Sequence, residues 1–245
     1  MGIFENAGPS FFRAELSDHP RHGPLPLLLL ALTVVTGVVD AVSIISLGHV
    51  FVANMTGNVV FAGFAAAGAP GFSLAASAVA LAGFLVGAGI GGMIQARLGA
   101  HRGVLLSRAA GVDAVLLAVA AAVTVIGRGA SDPWLAGCAA AVVAAAMGLQ
   151  NAIVRGLSVP DLTTTVLTMT LTGIAADLRK RDLRVAARRG LSVMSMFAGA
   201  AGGALLDMHA GVVLALGVAA VLIAVVGTVS AWRSRRPEPW QPSVS

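Results

Sequence analysis

Asp40 is the residue with the most chemistry to offer, a carboxylate set well inside the apolar stretch 27–47. A charged side chain at that depth costs at least ~2.5–3.5 kcal/mol on insertion scales. It therefore faces a bundle interior, pairs with a cation or carries a proton. One reading is a proton-coupling or substrate-contacting acid, and the other is a buried acid held by hydrogen bonds. Downstream, Asn54, Thr56 and Asn58 crowd into the string Asn54-Met55-Thr56-Gly57-Asn58. In the second half of the chain Gln150 and Asn151 interrupt another apolar stretch, followed by Thr168 and Thr170. Such amides and hydroxyls either replace the hydration of a small polar solute or hydrogen-bond between helices. Arg155 follows Asn151 by four residues and shares its helix face. It is placed to pair with Asp40, to meet an anionic solute, or simply to mark the cytoplasmic side.

Enzymatic signatures are missing. No histidine pair has metal-ligand spacing, no Gly-x-Ser-x-Gly occurs, and no Ser or Cys stands beside a histidine base. Gly87-x-Gly89-x-x-Gly92 fits a dinucleotide fingerprint formally, but it lies in an apolar stretch with no strand before it. The single cysteine, Cys138, excludes an internal disulfide and reads as a small core residue. The expectation is a protein that is not an enzyme and uses no cofactor or metal.

The elements that must position these groups are membrane helices. Of 245 residues 57% are hydrophobic and only 11% charged, where a soluble domain carries roughly 25% charge. Crossing a hydrocarbon core of ~30 Å takes ~20 apolar residues. Eight apolar stretches stand out: 27–47, 49–69, 73–94, 109–126, 134–154, 162–176, 191–206 and 212–232. No cleavable signal peptide is evident, so the first stretch reads as a retained helix. A polar arm (1–24) precedes two membrane halves (25–127 and 128–232), and a basic tail (233–245) closes the chain. Asp113 and Asp177, near stretch ends, read as interface residues, and the glycines at 83, 87, 91, 199 and 203 as packing grooves.

Two stretches are suspect as full spans. The stretch 162–176 is short and threonine-rich, and 49–69 carries the Asn54–Asn58 interruption. If both dip in and return on one side, fifteen of the sixteen Lys and Arg lie on the side of the N-terminus and only Arg128 lies opposite. Eight full crossings would leave twelve against four. The positive-inside rule favours the first arrangement, with both termini cytoplasmic.

The halves also resemble one another. Gly37-Val-Val-Asp40-Ala41 aligns with Gly148-Leu-Gln-Asn151-Ala152, Met55–Asn58 with Leu167–Thr170, and Gly87-x-x-x-Gly91 with Gly199-x-x-x-Gly203, always at an offset of 111 or 112. The predicted fold is an all-α polytopic membrane protein of six transmembrane helices plus two re-entrant or broken segments, in two inverted repeats. The alternative is eight full spans as four plus four. Inverted repeats place a shared site near the bilayer midplane on interrupted helices.

Val38-Val39-Asp40-Ala41, Phe51-Val52-Ala53-Asn54-Met55-Thr56-Gly57-Asn58, Gly148-Leu149-Gln150-Asn151-Ala152 and Thr164-Thr165-Val166-Leu167-Thr168 together resemble the YoaK-like family of bacterial membrane proteins, with the Asn-Met-Thr-Gly-Asn string the most specific part. The likeness extends over most of 27–232. At position 169 the family often has glycine where this chain has Met169. The resemblance implies a bacterial inner-membrane location and supplies no reaction. The expected partners are the lipid bilayer, a small polar or anionic solute and, through the glycine-rich faces, a second copy of the chain, with no nucleic acid. The functional expectation is a small-molecule permease or channel whose polar site at the repeat interface draws on Asp40, Asn54, Thr56, Asn58, Gln150, Asn151, Arg155, Thr168 and Thr170. The alternative is a non-transporting accessory or assembly component.

Overall fold

The apolar stretches become helices, and their lengths separate them into two kinds. The computed structural model describes residues 16–127, 131–160, 162, 167–180 and 182–242. Six long helices are apolar enough to cross a bilayer: α1 (Leu25–Ser46), α3 (Leu74–Leu98), α4 (Arg102–Ile126), α5 (Pro133–Leu157), α7 (Leu183–Ala210) and α8 (Val212–Arg233). The other two, α2 (Met55–Ala66) and α6 (Leu167–Lys180), have 12 and 14 residues. At 1.5 Å per residue they reach about 18 and 21 Å, short of the ~30 Å core. Residues 47–54 are not helical, so the stretch 49–69 yields a short helix behind an irregular segment. The protein is thus a polytopic all-α membrane protein, with six candidate spans among the described residues. Thr163, Thr164, Thr165, Arg128 and most of the N-terminal arm lie outside the described residues.

Side-chain bonds fix which helix ends share a face. Arg102, at the first turn of α4, is buried; its Nη1 donates to the Arg21 and Trp240 carbonyls and its Nη2 to the Leu157 carbonyl. The arm before α1, the start of α4, the end of α5 and the tail after α8 therefore meet on one face. At the other face Ser46 Oγ donates to Asp207 Oδ2 at 2.6 Å, joining the C-terminal ends of α1 and α7. Helices α1, α4 and α7 leave the first face, and α3, α5 and α8 return to it. Eight full crossings would carry the α3–α4 connection to the far side, away from Arg21. The eight-span alternative fails on this contact.

Helices α1 and α5 are the most buried, and they form the centre. Around them, α3 packs along α5 and α7 along α1, while α4 and α8 pack on one another. Exchanging the two halves, α1–α4 for α5–α8, maps each helix pair in contact onto a pair in contact, the α4–α8 pair onto itself. The correspondence reaches single residues. A β-carbon on Gly37 would strike the backbone of Met196 and Ala200, and one on Gly148 that of Phe84 and Ala88. One on Gly87 would strike the Ala145 carbonyl, and one on Gly199 that of Val34. Each partner in one half lies 111 or 112 positions from its counterpart. Close backbone approach through small residues is how helices associate in lipid, where no hydrophobic drive holds them.

The outward faces of α3, α4, α7 and α8 carry Leu85, Val115, Phe197 and Val221, all largely exposed. In water this would be an aggregation surface, and in a bilayer it is lipid contact. Cys138 also faces outward on α5, so the core position expected for it is corrected. Only one flank of that helix is needed to meet α3 and α4.

Candidate functional site

The irregular segment before α2 has to satisfy backbone groups at membrane depth, and two side chains from the sequence pattern do this. Asp40, six residues before the end of α1, accepts hydrogen bonds at Oδ1 from Val52 N at 3.0 Å and Ala53 N at 2.9 Å. Asn58, fully buried in the first turn of α2, takes both polar groups of Phe51. Its Oδ1 accepts from Phe51 N at 2.9 Å, and its Nδ2 donates to Phe51 O at 2.6 Å. Irregular backbone inside a membrane survives only where such partners exist or where it lines a cavity.

Here both conditions hold. A cavity of about 640 Å³ lies against the start of α2. Asp40 of α1, Asn54 and Thr56 at the start of α2, Phe84 of α3, Thr168 of α6 and Met196 of α7 line it. Groups from the two halves therefore share one hollow. Phe84 and Met196, which both line it, are 112 positions apart in the sequence. Asn54 is the residue before α2, and its side chain caps no backbone N–H, so its amide stays available to the cavity. Because α2 starts here, its first N–H groups and the positive end of its dipole add to the electrostatics of this wall.

Asp40 is only 6% exposed and is one of the residues that line the cavity. Oδ1 is engaged with the segment, and Oδ2 accepts from no described residue. The carboxyl thus has one oxygen bound to the segment and one without a described partner.

The remaining expected site residues fall elsewhere. Gln150 is buried between helices, where its Nε2 donates to Thr36 Oγ1 at 3.1 Å. Asn151 is half-buried, and its Nδ2 donates to the Met147 carbonyl at 3.1 Å. Thr170 is buried in α6, away from the cavity lining. Arg155 is exposed in the last turn of α5 and makes no pair with Asp40. That proposed pairing is corrected: Asp40 sits near the Ser46 end of α1, whereas Arg155 belongs to the face of the termini.

Sequence reasoning missed the aromatic wall. Phe51 stacks on Phe61 with ring centroids 5.5 Å apart, and Phe61 meets Phe72 at 5.0 Å. Phe61 also lines the cavity. The Phe61, Phe64, Phe72 spacing was the available signal. Arg102 was missed too, since basic residues at stretch ends read as surface charge. Beside it His22, outside the spans, has its pKa pushed down to about 4 by burial first and then by the Arg102 guanidinium. The two side chains meet at 3.1 Å.

Residues 28–229 match the family described as "Protein of unknown function (DUF1275)". The UPF0700 transmembrane protein YoaK of Bacillus subtilis (strain 168) is 30% identical over 158 residues, covering 63% of this chain and 67% of that protein. No solved structure matches the chain. With the match running from the first turn of α1 to the last turn of α8, the chain belongs to the DUF1275 family, in keeping with the YoaK-like resemblance of its Asn54–Asn58 string.

Proposed function

We propose that this protein is a permease or channel for a small polar solute, built from two inverted repeats, with the cavity between α1, α2, α3, α6 and α7 as the solute site. The observation that carries the reading is the joining, in one hollow of about 640 Å³, of Asp40, Asn54 and Thr56 from one half with Thr168 from the other. Paired interruptions at a repeat interface are where secondary transporters bind their cargo. The matched glycine contacts and the opposite directions of α1 and α5 support the repeat. The hollow has the volume of a small-molecule pocket. Its amides, hydroxyl groups and helix start suit a solute with several oxygen or nitrogen groups, and the α2 N-terminus favours partial negative charge on it.

We place the protein in the bacterial plasma membrane with both termini cytoplasmic, because the face that gathers Arg102, Arg155, Arg189 and Arg233 is the strongly basic one. No catalytic chemistry is part of the proposal. The test is a thermal-shift screen of the purified protein against small polar metabolites, followed by uptake of any stabilising solute into proteoliposomes. A solute-dependent shift that vanishes in Asn54→Ala or Thr168→Val supports the reading. A stable co-purifying partner, with no solute giving a shift, favours the accessory-component alternative.

A further inference from the structure

A second polar centre lies away from the cavity, among α1, α4 and α5. Asp113, near the middle of α4, is 1% exposed, so its expected place at the membrane interface is corrected. Its Oδ1 has no hydrogen-bond partner. Gln150, 2% exposed, likewise leaves Oε1 without a partner. Both residues line the same void, which has no room for a water molecule and is otherwise walled by Leu32, Leu106, Ile153 and neighbouring alanines. Asp113 is the one titratable side chain in that lining.

Two acceptor oxygens facing a dry apolar void cannot satisfy one another, and each unpaired buried acceptor has lost the hydrogen bonds that water gave it. A charged carboxylate left so would cost more. A neutral Asp113 would supply the O–H that Gln150 Oε1 lacks. A dehydrated sodium ion would need more oxygen ligands than this lining offers.

We infer that Asp113 is a proton-binding site whose O–H bonds Gln150, and that its proton is the coupling ion of the permease proposed above. The role rests on that proposal, while the protonated acid does not. The connection to the cavity is physical. Gln150 Nε2 donates to Thr36 Oγ1, and Thr36 donates to the Leu32 carbonyl at 2.9 Å. Thr36 lies four residues before Asp40 on α1, one turn away on the same face. Release of the Asp113 proton requires a second state in which water enters between α1, α4 and α5 to take it, and the carboxylate left behind needs a donor. The Gln150 amide then turns its Nε2 from Thr36 to Asp113. The amide thus has two discrete orientations, one for each charge state, and the switch releases α1 beside the cavity carboxylate.

The test is infrared difference spectroscopy of the full-length protein in lipid nanodiscs, in sodium-free buffer. The expected spectrum holds a carboxylic-acid C=O band that is lost completely in Asp113→Asn, persists in Asp40→Asn, and moves to higher frequency in Gln150→Leu, where the hydrogen bond is gone. Transfer to D2O should lower its frequency, because a coupling proton must exchange. A band unchanged in both Asp113→Asn and Gln150→Leu would overturn the protonated acid. A band that disappears on adding sodium chloride would overturn the proton as the ion. A band lost in Asp113→Asn that never shifts in D2O would overturn the coupling role. None of these readouts depends on solute flux, so failure of the permease reading is seen separately in the uptake assay.

Discussion

Replacing Asp40 separates its structural oxygen from its functional charge. Asp40→Ala removes the acceptor for Val52 N and Ala53 N, both buried. Hydrogen bonds to a charged acceptor contribute about 1.5–3 kcal/mol each, and a stranded N–H costs ~1–3 kcal/mol. Polar contacts measured in lipid average only ~0.6 kcal/mol. Two bonds between these bounds place the loss for Asp40→Ala at about 2–4 kcal/mol. Asp40→Asn keeps a carbonyl oxygen where Oδ1 stands, so it should fall within ~1 kcal/mol of the parent while abolishing the charge. The assay is reversible unfolding in mixed micelles, read by helical circular dichroism. The refuting result is an Asn variant as unstable as the Ala variant. Charge, and not acceptance from Val52 and Ala53, would then hold the segment.

Asn58→Leu strands both polar groups of Phe51 and should cost about 2–3 kcal/mol by the same assay. Gly87→Ala and Gly199→Ala each push a β-carbon into a facing carbonyl and should cost ~1–3 kcal/mol, equally in the two halves. Gly89→Ala and Gly202→Ala, with nothing within 4 Å, should be neutral or stabilising by up to ~1 kcal/mol. The folded pKa of His22, about 4, lies below its ordinary 6.5. The docked arm therefore resists protonation: docking is fully favourable above pH 6.5 and weakens as pH falls toward 4. Hydrogen-exchange protection of residues 19–24, taken relative to the intrinsic rate at each pH, should fall over that window in the parent and stay level in His22→Gln. Arg102→Met should raise exchange in both the arm and residues 236–242, since it frees the Arg21 and Trp240 carbonyls together.

Much of the fold was legible because a bilayer punishes exposed backbone so heavily that apolar length nearly dictates the spans. The short second helix was legible in outline: Asn54, Thr56, Gly57 and Asn58 are too polar for lipid. The backbone partners of Asp40, twelve and thirteen residues ahead, were not, because bonds to main-chain N–H leave no trace in residue type. Glycines 87, 91, 199 and 203 read correctly as grooves since only a missing β-carbon permits such contact. Arg102 and Asp113 misled for one reason. A charge near the end of an apolar stretch looks interfacial, but the helix begins at Arg102, which leaves Asp113 mid-helix, and the packing of arm and tail buries Arg102 itself. Gln150 and Asn151 are adjacent in sequence yet point to different surroundings, as neighbours on a helix must.

Bridging the hollow with a chemical ruler is the most direct measurement of whether both halves share one interior. In a Cys138→Ser background, Asn54→Cys and Thr168→Cys should be joined in native membranes by a short bis-maleimide, giving an intramolecular bridged peptide by mass spectrometry in the double variant alone. Single labelling of each cysteine without any bridged peptide would contradict a common cavity, and with it the solute site.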